Sequence, residues 1–162
     1  MKIGVIADTH MPQRGSALPA KVIEAFKGVD MIIHAGDAVE LPVLQALAKL
    51  SPKLVAVCGN MDDAAVRKHY PAKQVVSAGK FKIGVMHGWG PPSGLEAVLE
   101  EAFREDHVDM VVFGHSHAAL NKKRGKTIFF NPGSPTDNIF AAYQSFGIIT
   151  VDDTIEAQII KI

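Results

Sequence analysis

Five short apolar runs in this chain end in the same kind of polar tip. KIGVIA is followed by Asp8-Thr9-His10, and MIIHA by Gly36-Asp37. LVAVC is followed by Gly59-Asn60, FKIGVM by His87-Gly88, and MVVF by Gly114-His115-Ser116-His117. Runs this short, rich in Val and Ile and closed by glycine or turn residues, read as buried strands. Between the early ones lie segments of helical period at 18–26, with Pro19 in the first turn, and at 41–50, with Leu44, Leu47, Ala48 and Leu50 on one stripe. Strands at 2–7, 31–35 and 54–58 alternating with helices predict parallel βαβ units with helices packed on the sheet.

The second half has another rhythm. Residues 74–78 and 81–86 read as a hairpin joined through Gly79 and Lys80. A helix is expected over 94–104 and a strand over 110–113. Residues 119–130 read as a hairpin turning at Arg124-Gly125-Lys126, and 143–151 with 155–160 as another. The whole is an α/β layered sandwich with a parallel start and antiparallel additions, one domain over residues 1–162.

Ligands in open α/β sheets bind beyond the carboxyl ends of the strands. The five tips deliver two Asp, one Asn and four His to that place: Asp8, His10, Asp37, Asn60, His87, His115 and His117. Each has an ordinary reading alone, as a turn residue, a cap or a loop histidine. The ordinary reading must hold separately at every tip, whereas one metal site accounts for all of them. His115 and His117, at i and i+2 in extended chain, are expected to point the same way. Oxygen and imidazole donors without thiolate suit Mn, Fe, Co, Ni or Zn and fit calcium poorly. Seven donors exceed what one tetrahedral ion uses and fit two ions. Two metals roughly 3.5–4 Å apart are a known means of hydrolysing phosphate esters.

Composition narrows the alternatives. Hydrophobic residues make up 48% of 162, enough for a folded core. Lys plus Arg equals Asp plus Glu at 17 each, which gives no hint of broad nucleic-acid or membrane binding. Cys58 is the single cysteine, so an intrachain disulfide and a Cys-rich zinc site are excluded. No apolar stretch has the length of a membrane span and no leader-like segment precedes MKIGVIAD, so a cytoplasmic location is expected. The terminal hairpins leave sheet edges on which a homodimer can form.

The ordered tips Asp-Thr-His, Gly-Asp, Gly-Asn, His-Gly and Gly-His-Ser-His resemble the calcineurin-like metallophosphoesterases. The short chain and the later Asn131-Pro132-Gly133-Ser134 resemble their small bacterial and archaeal phosphodiesterase branch. The resemblance implies a four-layer α/β/β/α sandwich of two mixed sheets flanked by helices. It implies a first metal held by Asp8, His10 and His117, a second held by Asn60, His87 and His115, and Asp37 as bridge. Manganese is the expected ion. The implied reaction is hydrolysis of a small phosphate ester, most often a diester, by a hydroxide that bridges the metals, with Asn60 and His115 also touching the phosphoryl group. A catalytically weakened relative, the retromer subunit of the vacuolar sorting machinery, gives the alternative of a protein-binding scaffold. Phosphomonoesters and cyclic nucleotides are further alternative substrates.

Two positions depart from the pattern. Many relatives carry a histidine after the Gly-Asn pair that assists the leaving group; here Met61 stands there, and Asp62 keeps the acidic position that follows. Asp62 is expected to orient a ligand, to accept a hydrogen bond from a ligand histidine, or to cap a helix near Ala64. Trp89 stands where many relatives have another histidine and is expected to pack the rim, with a face for stacking on an aromatic group as the alternative. Arg14 reads as a solvated loop residue, with contact to a substrate phosphate as the alternative, and His34 as a hydrogen-bonded core histidine.

Overall fold

A computed structural model describes all of residues 1–162. In chain order the elements are β1 (Lys2–Ile6), α1 (Ala20–Phe26), β2 (Met31–His34), α2 (Leu41–Ala48), β3 (Leu54–Ala56), α3 (Ala64–His69), β4 (Lys73–Ala78) and β5 (Phe81–Met86). They continue with α4 (Leu95–Ala102), β6 (Met110–Val112), β7 (Leu120–Arg124), β8 (Thr127–Asn131), β9 (Ser145–Val151) and β10 (Ile155–Lys161).

The strands form two five-stranded mixed sheets, ordered β10-β9-β1-β2-β3 and β4-β5-β6-β8-β7. β1, β2 and β3 run parallel, as the helices between them require, and β9 pairs antiparallel beside β1. The second sheet also has a parallel centre, β5-β6-β8, with β4 and β7 added antiparallel at its edges. The three expected hairpins are present, but the second half is not purely antiparallel. The helix α4 between β5 and β6 turns that chain into another βαβ unit.

The central strands bury both faces. Ile3, Val5, Ile33 and Val55 of one sheet meet Ile83, Val85, Met110, Val112 and Phe130 of the other in a core between the sheets. The opposite faces are covered by helices. Val22 and Phe26 of α1, Leu44 and Leu47 of α2 and Val66 of α3 pack on Ile6, Ile32, Ala56 and Phe146. Leu95, Leu99 and Phe103, at helical spacing around α4, cover Val111 and Phe129 of the second sheet. This is the expected four-layer sandwich.

The helices are shorter than expected. α1 begins after Pro19, which is its N-cap, and α2 and α4 each stop short of the expected end. Caps decide α3. Asp63 accepts the Val66 N–H at 2.8 Å as its N-cap, so Asp63 takes the capping role expected of Asp62.

Candidate metal centre

Because β1–β3 and β5-β6-β8 are each parallel, the carboxyl ends of two sheets meet along one edge of the sandwich. The seven sequence-derived donors lie there, but they do not come from one sheet. Asp8, His10, Asp37 and Asn60 follow β1, β2 and β3, while His87, His115 and His117 follow β5 and β6. The parallel pairing of β5 with β6 lets a second sheet complete the set.

The loops that carry the donors are unusual in backbone conformation. Asp8, His10, Asp37, His115 and His117 all have positive φ, between 43° and 69°. Non-glycine residues pay a steric cost there, and such residues gather at functional sites. This also corrects the expectation for His115 and His117. Left-handed backbone at both replaces extended chain, and the two rings diverge. His117 Nε2 lies 3.1 Å from His10 Nε2 and 3.4 Å from Asp8 Oδ1. His115 Nδ1 lies 3.0 Å from Asn60 Oδ1.

Two groups result. Asp8, His10 and His117 bring one donor atom each within 4.8 Å of one another, and so do Asp8, Asp37 and His87. Asn60 Oδ1 stands 3.1 Å from His87 Nε2 and thereby joins His115 to the second group. Asp37 Oδ2 is 3.6 Å from His10 Nε2 and 3.2 Å from His87 Nε2, so it faces both groups. The glycines at the tips permit this crowding. A Cβ on Gly59 would sit 2.2 Å from Asp37 Oδ1, and one on Gly36 would sit 2.6 Å from His87 Nδ1.

The hydrogen-bond pattern sets which atoms face inward. His87 Nδ1 donates to Ala35 O at 2.8 Å, and His115 Nε2 to Gly90 O at 2.9 Å. His117 Nδ1 donates to the Asp137 carboxylate. The other nitrogen of each ring is left to face Asp8, Asp37 or Asn60. Acceptors thus converge on acceptors. That arrangement requires either cations or added protons between them. The electrostatics agree. Burial raises Asp8 to about 6. Burial alone would lower His87, but the Asp37 and Asp8 carboxylates outweigh it and hold the imidazole up at about 9. Burial would raise Asp37, yet its hydrogen bond with His87 keeps it below the usual carboxylate range. An oxygen-and-imidazole set with outward N–H bonds fits divalent transition metals, whose histidine ligands are oriented in this way.

Asp62 holds the loops of two donor residues through their backbone. It is buried, and its oxygens accept the N–H groups of Asp37 at 3.0 Å, Val39 at 2.6 Å and Gly59 at 2.6 Å. It contacts no histidine through these bonds and does not line the cleft. It ties the Asp37 loop to the Gly59 loop, so it is a positioning residue rather than a catalytic one.

Asp137 is a functional residue that the sequence reading missed. It is fully buried and accepts from His117 Nδ1, from Arg14 Nη1 at 3.1 Å and from the Ile139 N–H at 2.9 Å. Burial would raise its carboxyl group, but the His117 hydrogen bond and these amides outweigh that and hold it at about 2. The available signal was an acid followed by Asn138-Ile139-Phe140 beyond the Asn-Pro-Gly-Ser turn. That turn itself is structural: Ser134 Oγ donates to Asp8 O at 2.7 Å, and Asn131 Nδ2 to Gly114 O at 2.9 Å. Arg14 is not free in solvent, being paired with Asp137. Trp89 is exposed and lies outside the cleft.

The cleft over the donors has a volume of about 570 Å³ and is lined by His10, Arg14, Asp37, Asn60, Met61 and His115 among others. Comparison with known proteins gives a consistent result. A family model described as the calcineurin-like phosphoesterase superfamily domain matches residues 1–154. A probable metallophosphoesterase of Methanocaldococcus jannaschii is 37% identical over 163 aligned residues, covering 100% of this chain and 82% of the relative. A Thermotoga maritima protein solved in solution superposes with a TM-score of 0.77 at 30% identity, covering 99% of each chain. Vps29 from Chaetomium thermophilum superposes with a TM-score of 0.83 at 24% identity, covering 100% of this chain and 95% of its own.

Proposed function

Since the chain belongs to the calcineurin-like phosphoesterase superfamily, we propose that it is a phosphodiesterase with a dinuclear metal centre, working as one domain in the cytoplasm on small phosphate esters. Asp8, His10 and His117 would hold one ion and Asn60, His87 and His115 the other, with Asp37 between them. Manganese is the expected metal, from a donor set that also suits Fe, Co, Ni and Zn. The observation that carries this reading is the inward convergence of acceptor atoms from two sheets, with Asp37 facing both groups.

Two bound ions would supply positive charge where the phosphoryl group gains negative charge and would lower the pKa of water toward neutrality. The chain's own residues do the rest. Asp62 fixes the Asp37 loop by three backbone bonds. Gly90 O and Asp137 fix the His115 and His117 rings, so that catalytic geometry is set before substrate arrives. Asn60 and His115 line the cleft, where they can also touch a phosphoryl oxygen. Arg14 is the one lysine or arginine in the lining, a modest positive charge that suits a diester better than a dianionic monoester. Met61 is 53% exposed in the same lining and offers no proton to a leaving oxygen. General acid catalysis is worth on the order of 10²–10⁴-fold, so esters with good leaving groups should react far faster than alkyl esters.

The test is metal reconstitution with each of the five metals, followed by a panel of aryl and alkyl mono- and diesters. The expected outcome is metal-dependent diesterase activity that falls steeply as the leaving-group pKa rises. A flat dependence overturns the role given to Met61, and full activity in metal-stripped protein overturns the mechanism. Vps29 supports the scaffold alternative by likeness of fold alone.

A further inference from the structure

Folding leaves an aromatic ring standing in solvent beside the donor cluster. Phe140 is 72% exposed and its neighbour Ile139 is 67% exposed. Exposed apolar side chains are common singly, but this one is held in place. Asp137, itself fully buried, accepts the backbone N–H groups of Ile139, Phe140 and Ala141, so the segment is fastened from beneath. The ring lies edge-on to His117, with centroids 6.2 Å apart and planes at 77°. The Arg14 guanidinium sits 5.3 Å from the ring centroid and is oriented by its bond to Asp137. Phe140, Arg14 and Met61 all line the cleft above the donors. At about 570 Å³ the cleft holds a phosphoryl group and one attached ring.

We propose that the wall made by Phe140 and Arg14 selects phosphate esters that carry an aromatic group, the ring stacking on Phe140 while Arg14 meets the phosphoryl charge. This rests on the phosphoesterase reading and specifies its substrate class. Asp137 makes the selection and the metal geometry interdependent, because one carboxylate holds His117, Arg14 and the amides that carry Phe140. A stacked or edge-to-face aromatic pair favours binding over a purely apolar contact of the same area. Arg14 adds a charge that every phosphoryl ligand feels alike, so only Phe140 distinguishes aryl from alkyl.

Phenylphosphonate and methylphosphonate, neither of which can be hydrolysed, test the proposal on metal-reconstituted full-length protein. Their inhibition constants are measured against a nitrophenyl diester, and their dissociation constants by calorimetry. The parent protein should bind phenylphosphonate about tenfold more tightly. In Phe140→Ala that ratio should fall to near one, with methylphosphonate changed less than twofold; Phe140→Tyr should keep the ratio. Arg14→Gln should weaken both ligands by the same factor. A parent ratio near one, or a ratio in Phe140→Ala equal to that of the parent, overturns the proposal. If the reconstituted protein binds neither phosphonate and cleaves no ester, the phosphoesterase reading falls and the selection falls with it. That result is distinct from two phosphonates that bind alike.

Discussion

The two donor groups share Asp37 and Asp8 but differ in what stands behind their histidines. His117 is backed by a buried carboxylate, Asp137, which also anchors Arg14 and the Phe140 segment. His87 is backed by a neutral backbone carbonyl, Ala35 O, inside the sandwich. An anionic partner makes an imidazole a stronger ligand and fixes its tautomer more firmly than a carbonyl does. The first group therefore owes its geometry to a loop that also shapes the cleft. The second owes its His87 ring to a strand end of the core and its His115 ring to the Gly90 loop. Ligand binding in the cleft should be felt by the first group more than by the second.

Asp37→Ala should have the largest effect, because it removes the carboxylate that faces both groups. Hydrolysis is expected to drop to background and the metal content, read by elemental analysis, to fall at both sites. Retention of one tightly held ion would show that Asp37 serves a single group. Asp137→Asn breaks the symmetry instead. The amide keeps an acceptor oxygen but loses the charge. Affinity for the ion held through His117 should fall roughly 10–100-fold, the usual result of losing a partner behind a ligand. The other ion should bind as before. Metal titration resolves the two steps, and equal losses at both would erase the distinction between carboxylate and carbonyl support.

The donors were legible in the sequence because a buried strand leaves few reasons for a polar tip. Asp8, His10, Asp37, Asn60, His87, His115 and His117 each follow an apolar run, and the fold brings the ends of those runs together. The supports were not legible to the same degree. Asp62 and Asp63 are adjacent acids in one turn, and only the helix start at Ala64 decides which one caps. Asp137 lies 20 residues beyond His117, and nothing local marks its partner. The direction of His115 and His117 depends on left-handed backbone, which residue identity does not announce outside glycine. That the second sheet also turns its strand ends toward the site depends on α4, which the residue pattern marks as a helix but not as a crossover between parallel strands.

A smaller effect separates support by protonation from support by charge. His34 lies in the interior, where its Nδ1 accepts the Gly36 N–H at 3.2 Å and its Nε2 lies 3.2 Å from Thr9 Oγ1. It thus ties the loop of Asp8 and His10 to the loop of Asp37. The bond from Gly36 needs a bare Nδ1, so the ring is neutral in the folded chain, with its proton on Nε2 toward Thr9. Burial lowers its pKa from 6.5 to about 4. Between those values the unfolded chain binds more protons than the folded one, so this contribution is fully present above 6.5 and is lost as the pH falls toward 4. Asp8, raised to about 6 by burial, acts in the opposite sense over much of the same range. The metal-free parent therefore sums several opposed slopes, those of His34 and His10 against those of Asp8 and His87, and the difference between parent and His34→Gln isolates His34. Urea midpoints measured from pH 7 to pH 4 should fall less in the variant than in the parent. Parallel curves would mean that His34 accepts a proton without leaving its place, and that the link between the two loops does not depend on a neutral ring.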